Sequence, residues 1–260
     1  MDYAPWQQVN ITFPGQTARE REQQAVAHFS RVLPAAHSAG LITSLWFIRK
    51  GAWRIRYLPT DRPDSGDQAR RLLTDGVTWT SDIYEPEIHA FGGHDAMTIA
   101  HTLFHHDSRH LLTYLHQHPT TRREHSLILC TALMRAARLD LNEQGDVWAQ
   151  VVEHRAAHLN QSPTTDAPRW ERFTGDVRSL LLGAPRTTGD WHTAFAQAGA
   201  ALLRQRKTGT LTRGLRAVIA LHVIFHWNRL GLPATTQATL ARAAQEAIFG
   251  PPDPQLPDPR

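Results

Sequence analysis

The stretch LITSLWFIRKGAWRIRYLP, from Leu41 to Pro59, predicts the sheet of this chain. It is rich in β-branched and aromatic residues, which favour strands, and a short turn at Lys50-Gly51 interrupts it. Its second half alternates apolar and basic side chains, with Trp53, Ile55 and Tyr57 set against Arg54 and Arg56. Alternation of this kind places one set on each face of a strand. The stretch therefore predicts an antiparallel hairpin with one buried face.

Helical patterns surround this hairpin and dominate the rest of the chain. Thr17–His37 has helical spacing of its apolar residues with Pro34 near its end, Arg70–Thr74 suggests a short helix, and Gly76–Glu87 reads as a third strand. After Gly93 the sequence predicts helices over 96–117, 124–138, 145–159, 169–182, 190–206, 213–230 and 235–248, separated by proline and glycine. We expect an α+β fold, with a small antiparallel sheet and some helices first and a mostly helical C-terminal half. The chain is expected to form a single domain over 1–250, followed by a disordered proline-rich tail over 251–260.

Composition narrows the class of protein. The 260 residues include 41% hydrophobic and 20% charged residues, which is ordinary for a globular protein with a core. The formal net charge of +4 is too small to indicate nucleic acid and suits an acidic peptide partner. A single cysteine, Cys130, permits no internal disulfide, and neither a signal peptide nor an apolar run of membrane-spanning length is visible. We therefore expect a cytoplasmic protein that binds neither nucleic acid nor membrane.

A polar cluster follows the third strand in YEPEIHAFGGHDAMTIAHTLFHHDS, from Tyr84 to Ser108. Gly92-Gly93 predicts a turn at positive φ, and a glycine turn before a helix can present N–H groups to a ligand. His101 and His105 are one helical turn apart, which is the spacing of paired metal ligands. Because no glutamate of the metalloprotease motif lies between them, we expect no metal site and interpret these histidines as surface residues. No cofactor-binding motif is present.

Two further segments carry candidate site residues. Arg54 and Arg56 share a strand face, which fits either a solvated face or a polar site, and Glu87 could pair with them across neighbouring strands. The segment HVIFHWNRLGLP, from His222 to Pro233, carries two histidines one helical turn apart, followed by an asparagine and an arginine. It fits a buried helix with a polar end, or a site.

Three segments together resemble a known family: WFIRKGAWRIR, YEPEIHAFGGHDAMTIAHTLFHHDS and HVIFHWNRLG. In order and spacing they are similar to the thiopeptide-type bacteriocin biosynthesis domain, which is itself similar to the C-terminal elimination domain of lantibiotic dehydratases. The resemblance runs from about Trp6 to Phe249. It implies one of two chemistries on a ribosomally made precursor peptide. Elimination domains expel glutamate from glutamylated Ser or Thr, whereas pyridine synthases join two dehydroalanines.

One departure from the elimination pattern favours the second chemistry. The segment EIHAFGG keeps Glu87 but has Ala90 where elimination domains carry an arginine expected to bind the expelled glutamate. A chain of this length also lacks the large glutamylation domain. The resemblance therefore implies a thiopeptide pyridine synthase, which catalyses a formal [4+2] aza-cycloaddition with loss of water and leader peptide and closes the macrocycle. A glutamate-eliminating subunit of a split dehydratase and a non-catalytic precursor-binding partner are the alternatives.

The same resemblance assigns roles to the polar residues of the three segments. We expect the catalytic groups to be Tyr84, Glu87, His89, His222 and His226. We expect the substrate to be bound by Arg54, Arg56, Trp53, Asn228 and Arg229. The resemblance also implies a reaction that needs no metal or other cofactor and a partner that is the precursor peptide, with its leader and modified core.

Overall fold

The computed structural model describes residues 6–159, 166–183 and 189–251. It confirms an α+β fold with a four-stranded antiparallel sheet near the N-terminus and helices through the rest. The strands are β1 (Gln7–Thr12), β2 (Ile42–Lys50), β3 (Ala52–Pro59) and β4 (Thr78–Asp82). The helices are α1 (Ala18–Ser38), α2 (Ser65–Leu73), α3 (His94–His116), α4 (Arg122–Ala136), α5 (Leu141–His154), α6 (Ala156–Leu159), α7 (Ala167–Leu182), α8 (Asp190–Thr208), α9 (Leu215–Leu230) and α10 (Ala234–Phe249). Apart from Pro251, the tail expected over 251–260 lies outside the described residues.

The sheet has the order β2-β3-β1-β4, with every neighbouring pair antiparallel. The predicted hairpin is confirmed, since β2 and β3 are joined at Gly51, whose φ of 75° suits a residue without a Cβ. β1 was not predicted from the sequence, yet it lies inside the sheet and pairs with both β3 and β4. Its position fixes which side chains become neighbours across the sheet.

One face of the sheet is apolar and packs in the core of its unit. On β3 the alternation holds, because Trp53, Ile55 and Tyr57 are buried while Arg54 and Arg56 are half-buried on the other face. Helix α1 begins at a capping box, in which Thr17 accepts from the Glu20 N–H at 3.1 Å and Glu20 accepts from Thr17. Its buried stripe meets the sheet through aromatic rings of Phe13, Phe29, Phe47 and Trp53.

The other face carries a row of four side chains, one from each strand. The register places Trp46 of β2 opposite Arg56 of β3, Arg56 opposite Gln8 of β1, and Gln8 opposite Asp82 of β4. Directly opposite side chains on one face are within contact distance. Strand pairing alone therefore brings a tryptophan, an arginine, an amide and a carboxylate into one line, and Tyr84 follows two residues after the last of them.

The chain divides into two compact units. The first comprises the residues up to Glu87, His101–Thr120 and Asn228–Gly231, and it holds the sheet. The second comprises Ile88–Ala100, Thr121–Trp227 and the residues from Leu232 onward, and it is helical. Close helix packing marks the second unit, since a Cβ built on Gly199 of α8 would lie 2.1 Å from the Leu133 carbonyl oxygen of α4. The division falls within the span treated as one domain from the sequence, and the single domain stays a prediction.

Candidate functional site

The guanidinium of Arg56 contacts two aromatic rings on the polar face of the sheet. Its Cζ atom lies 4.3 Å from the centre of the Trp46 ring and 4.4 Å from that of Tyr84. The two rings stand nearly perpendicular, with 82° between their planes and 5.6 Å between their centres. A guanidinium over an aromatic face is attracted by the ring quadrupole, and it is held more firmly than a flexible ammonium would be. The position of Arg56 is therefore fixed by its neighbours.

A chain of hydrogen bonds connects Arg56 to a carboxylate on the edge strand. Arg56 Nε donates to Gln8 Oε1 at 2.7 Å, and Gln8 Nε2 donates to Asp82 Oδ2 at 2.7 Å. Asn10 Nδ2 also donates to Asp82 Oδ2, at 2.9 Å, and this bond together with that from the Ile83 N–H holds the pKa of Asp82 below its usual range. Gln8 thus connects the guanidinium of Arg56 to the carboxylate of Asp82 through two hydrogen bonds.

Burial lowers the pKa of Arg56 to about 10, and the nearby Arg54 charge adds to this, while Tyr84, Glu87 and Asp82 oppose it. Arg56 therefore keeps its positive charge at neutral pH. A charge held in a partly desolvated place acts on its neighbours more strongly than one in water. The Tyr84 phenol, whose ring centre lies 4.4 Å from the guanidinium carbon, is directly exposed to this positive charge.

Tyr84 and His101 form a hydrogen-bonded pair beside this arginine. The Tyr84 hydroxyl lies 2.8 Å from His101 Nε2, and His101 is only 6% exposed. Burial, and secondly the Arg56 charge, lower the pKa of His101 to about 4, so the imidazole is neutral at pH 7. Trp6 covers the ring of His101 at 4.6 Å between centres. We call Trp6, Trp46, Arg56, Tyr84 and His101 the Tyr84 site.

The Tyr84 site can donate a hydrogen bond or a proton to an oxygen that gains negative charge. The phenol is the donor, the neutral imidazole can exchange that proton with it, and the guanidinium stabilises charge that appears on the phenol oxygen. Tyr84, Trp6 and Arg56 are half-buried, so the arrangement is not sealed from a ligand.

The other predicted residues of the first unit are not members of the Tyr84 site, although the charges of Arg54 and Glu87 act on Arg56. Arg54 is half-buried on the same face as Arg56, and Glu87 is exposed. Trp53 is buried on the opposite face, packed against Phe rings. Arg229 is fully buried, where its Nε donates to Asp107 Oδ2 at 2.7 Å, and its neighbour Asn228 is 8% exposed.

The predicted histidines belong to the second unit. His89 is exposed. His222 is 1% exposed and meets the ring of Phe91 edge-on at 5.2 Å, and His226 is 0% exposed and meets that of Phe195 at 5.1 Å. The two imidazoles of α9 are therefore part of an aromatic core, and their catalytic role stays a prediction.

The backbone N–H groups of the glycine turn in the second unit form hydrogen bonds within the turn. Gly92 and Gly93 have φ of 90° and 110°, as predicted, but their N–H groups donate to the carbonyls of His89 and Ile88 at 3.2 and 2.9 Å. These N–H groups are therefore satisfied within the turn. The carbonyl of Ala90 accepts from Arg213 Nη1 at 3.0 Å, so a guanidinium reaches this turn from a distant part of the sequence.

The sequence did not predict Trp6 and Trp46 of the Tyr84 site, nor Gln8, which bonds to Arg56, and two histidines were misplaced. Gln8, Trp6 and Trp46 gave no sequence signal, because their neighbours are set by strand pairing. His101 and His105 were interpreted as surface residues, which is wrong: His101 is buried and His105 is half-buried, with Nδ1 3.0 Å from the Leu45 carbonyl. Within the described ranges, no three His, Cys, Asp or Glu side chains cluster as metal ligands.

Comparisons with known proteins identify a shared fold and a family. Three solved structures share the fold. The tRNA-dependent lantibiotic dehydratase MibB from Microbispora sp. 107891 is 17% identical with a TM-score of 0.58, and the match covers 96% of this chain and 28% of that one. The pyridine synthase TbtD from thiomuracin biosynthesis is 14% identical with a TM-score of 0.61, and the match covers 94% of this chain and 97% of that one; TsrL is 14% identical with a TM-score of 0.58, and the match covers 95% of this chain and 99% of that one. The chain thus spans little more than a quarter of the dehydratase. No functionally curated protein matches it. In the part that the structure describes, no helix is long and apolar enough to cross a membrane. Residues 6–248 match the family described as lantibiotic biosynthesis dehydratase C-term, and the chain belongs to that family.

Proposed function

We propose that this protein is a thiopeptide pyridine synthase, which joins two dehydroalanines of a ribosomally made precursor peptide by a formal [4+2] aza-cycloaddition. The observation that carries the proposal is the Tyr84–His101 pair at 2.8 Å beside the charged Arg56. This pair offers a proton donor and an adjacent cation to a substrate that needs an amide oxygen to be protonated. Family membership and the shared fold with a pyridine synthase support the same reading.

The first step moves one amide proton of the substrate from nitrogen to oxygen. The dehydroalanine next to that amide then becomes part of a 2-azadiene, and the second dehydroalanine adds across it with formation of two carbon–carbon bonds. Tyr84 donates its proton to the amide oxygen, the nitrogen releases its proton to water, and water returns a proton to the phenolate, so that Tyr84 ends the step as a phenol. His101, whose pKa is about 4, stays neutral at pH 7, so its part is to orient the Tyr84 phenol through their 2.8 Å hydrogen bond.

The ring formed in this way becomes aromatic after two losses. Water departs with the hydroxyl of the former amide and one ring hydrogen, and the leader peptide departs as its amide with a second ring hydrogen. The departing hydroxyl needs a proton, which Tyr84 can supply. Holding both alkenes together is the larger contribution, since orientation lowers such barriers by as much as roughly 7–11 kcal/mol.

Arg213 supports glutamate elimination as a second candidate. Ala90 lacks the side chain expected to grip the expelled glutamate, but the Arg213 guanidinium bonds to the Ala90 carbonyl at 3.0 Å. An arginine from another segment thus stands beside the position that lost one. If elimination is the reaction, Arg213→Gln should abolish release of glutamate, whereas the cyclisation should tolerate it.

Mass spectrometry separates these functions. The purified protein should convert a thiazole-bearing precursor containing dehydroalanines into a macrocycle, with loss of water and of the whole leader peptide. Conversion of a glutamylated precursor to a dehydrated one that keeps its leader would assign elimination instead. Binding of both precursors without any mass change would indicate a non-catalytic partner. We place the reaction in the cytoplasm, where precursor peptides are synthesised, and expect it to need neither cofactor nor metal.

A further inference from the structure

One edge of the sheet is closed by helix α3. On β2, the N–H of Leu45 lies 3.1 Å from His105 Nδ1, and the N–H of Phe47 donates to Ser108 Oγ at 3.2 Å. Side chains of one helix thus occupy the polar groups that an edge strand would otherwise present to another chain. Native proteins commonly protect edge strands in this way, because an open edge is a template for pairing.

The opposite edge, β4, has no such protection. All five residues of Thr78–Asp82 are exposed, and in the described part of the chain their backbone makes hydrogen bonds with β1 alone. The strand contains no proline, no lysine and no bulge, since the register shift of the sheet lies between β2 and β3. It carries Trp79, 38% exposed, and is followed by Ile83, 83% exposed. β4 has five residues, an ordinary length for a strand, and edge strands that expose backbone and apolar side chains together are sites of strand addition.

We propose that β4 binds an extended segment of the substrate peptide as a fifth strand of the sheet. The inference rests on the proposed function, which supplies a peptide substrate. Continuity with the Tyr84 site identifies the occupant, because Tyr84 is only two residues beyond Asp82, the last residue of β4. The Tyr84 ring packs on Arg56 of β3 and beside Trp46 of β2, so a strand added outside β4 lies about three strand spacings, or roughly 14 Å, from it. About four or five further residues of the same extended peptide, crossing the polar face along the row Asp82, Gln8 and Arg56, therefore reach the phenol. Five paired residues make a docking segment about 17 Å long.

The chemistry of β4 defines the segment that it accepts. Strand pairing uses peptide N–H groups, and thiazole rings, like proline, have none to donate. The docked segment is therefore an unmodified part of the precursor that flanks the modified residues. Alternate side chains of an added strand lie beside Trp79 on one face and beside Thr80 and Asp82 on the other. We expect an apolar residue beside Trp79 and polar neighbours next to it in the sequence.

Hydrogen–deuterium exchange with the thiazole-bearing, dehydroalanine-containing precursor tests this docking. On saturation, amides of Thr78–Asp82 should gain protection, whereas those of β2, already closed by α3, should not change. Protection without cyclisation would leave the docking intact and refute the pyridine synthase. Cyclisation or binding without protection of β4 would overturn the docking and leave the enzyme assignment standing.

Single proline substitutions at two adjacent positions of β4 give a matched pair of variants. Because successive N–H groups of a strand point to opposite edges, one of Thr80→Pro and Ser81→Pro removes a bond to β1 and the other removes only an outward N–H. Circular dichroism identifies the variant that stays folded, and its affinity for the precursor should fall about tenfold, as expected for one lost hydrogen bond. Unchanged affinity in that variant would overturn the proposal. So would sedimentation showing a dimer whose β4 is protected without peptide, since the occupant would then be a second copy.

Discussion

Replacement of Arg56 gives the most direct measure of the Tyr84 site. Arg56→Lys keeps the charge, but a lysine cannot lie flat against the rings of Trp46 and Tyr84, which are 4.3 and 4.4 Å from the guanidinium carbon. It also loses the Nε hydrogen bond to Gln8 at 2.7 Å. The matched control is Arg54→Lys, on the same strand and the same face, also half-buried.

The size of the effect follows from these contacts. A partly desolvated cation–π contact contributes about 1–2 kcal/mol, and a hydrogen bond involving a charged group about 1.5–3 kcal/mol. Because the lysine retains its charge and part of its packing, we expect a loss of about 1.5–3 kcal/mol in the transition state, or roughly a 10–100-fold lower kcat. Arg54→Lys should change kcat by less than about threefold, since its guanidinium has no ring beneath it in the described contacts.

Macrocycle formation measured by mass spectrometry, at saturating and at limiting precursor, gives kcat and KM separately. Because Arg56→Lys displaces the charge that acts on the Tyr84 phenol, it should lower kcat with little change of KM. Urea unfolding of both variants shows whether a lower rate reflects a lost site or a lost fold. A full rate in Arg56→Lys, or an equal loss of kcat in Arg54→Lys, would refute this role of Arg56.

Three further predictions concern stability. Asp107→Asn should destabilise the fold by about 3–5 kcal/mol in urea, because it leaves the fully buried Arg229 without its carboxylate; a loss under 1 kcal/mol would contradict this. The pKa of His101 is about 4 in the folded chain and about 6.5 in the unfolded chain, so below pH 6.5 the unfolded chain binds a proton that the folded chain does not. The free energy of unfolding should therefore fall by about 3 kcal/mol from pH 6.5 to 4. His101→Gln should remove that part of the dependence of stability on pH. Gly199→Ala should cost at least about 1–3 kcal/mol in thermal unfolding, because its Cβ would stand 2.1 Å from the Leu133 carbonyl oxygen, and an unchanged melting temperature would refute the close packing.

The sequence predicted those elements whose signal is local. The β2–β3 hairpin follows from alternation and a glycine turn, and most of the long helices were placed to within a few residues of their ends. The helix predicted over 145–159 is wrong, since the chain forms two helices there, α5 (Leu141–His154) and α6 (Ala156–Leu159). Helix α1 (Ala18–Ser38) agrees with the predicted Thr17–His37 to within one residue at each end, and Pro34 lies near its end as predicted; Ala36 is fully buried, and its packing offsets the lost N–H. Helix α2 begins at Ser65, five residues before its predicted start at Arg70.

Strand β1 and the site depend on contacts between distant parts of the sequence. QQVNIT has only two apolar residues, Val9 and Ile11, and becomes a strand because β3 and β4 pair with it on either side. The two-residue spacing of Arg54 and Arg56 was enough to predict a shared face. It could not reveal that Arg56 alone meets Trp46 and Tyr84, since that depends on the register of three other strands.

The electrostatics of the Tyr84 site restrict the chemistry that fits it. With His101 neutral and Arg56 charged at neutral pH, the local charge is positive, and the Asp82 carboxylate is kept on the far side of Gln8. Such a site stabilises negative charge that develops on an oxygen, and it opposes the formation of a second cation. Amide tautomerisation and loss of a hydroxyl both place their demand on an oxygen. Expulsion of glutamate needs in addition a cation that binds two carboxylates, for which Arg213 is the group to test.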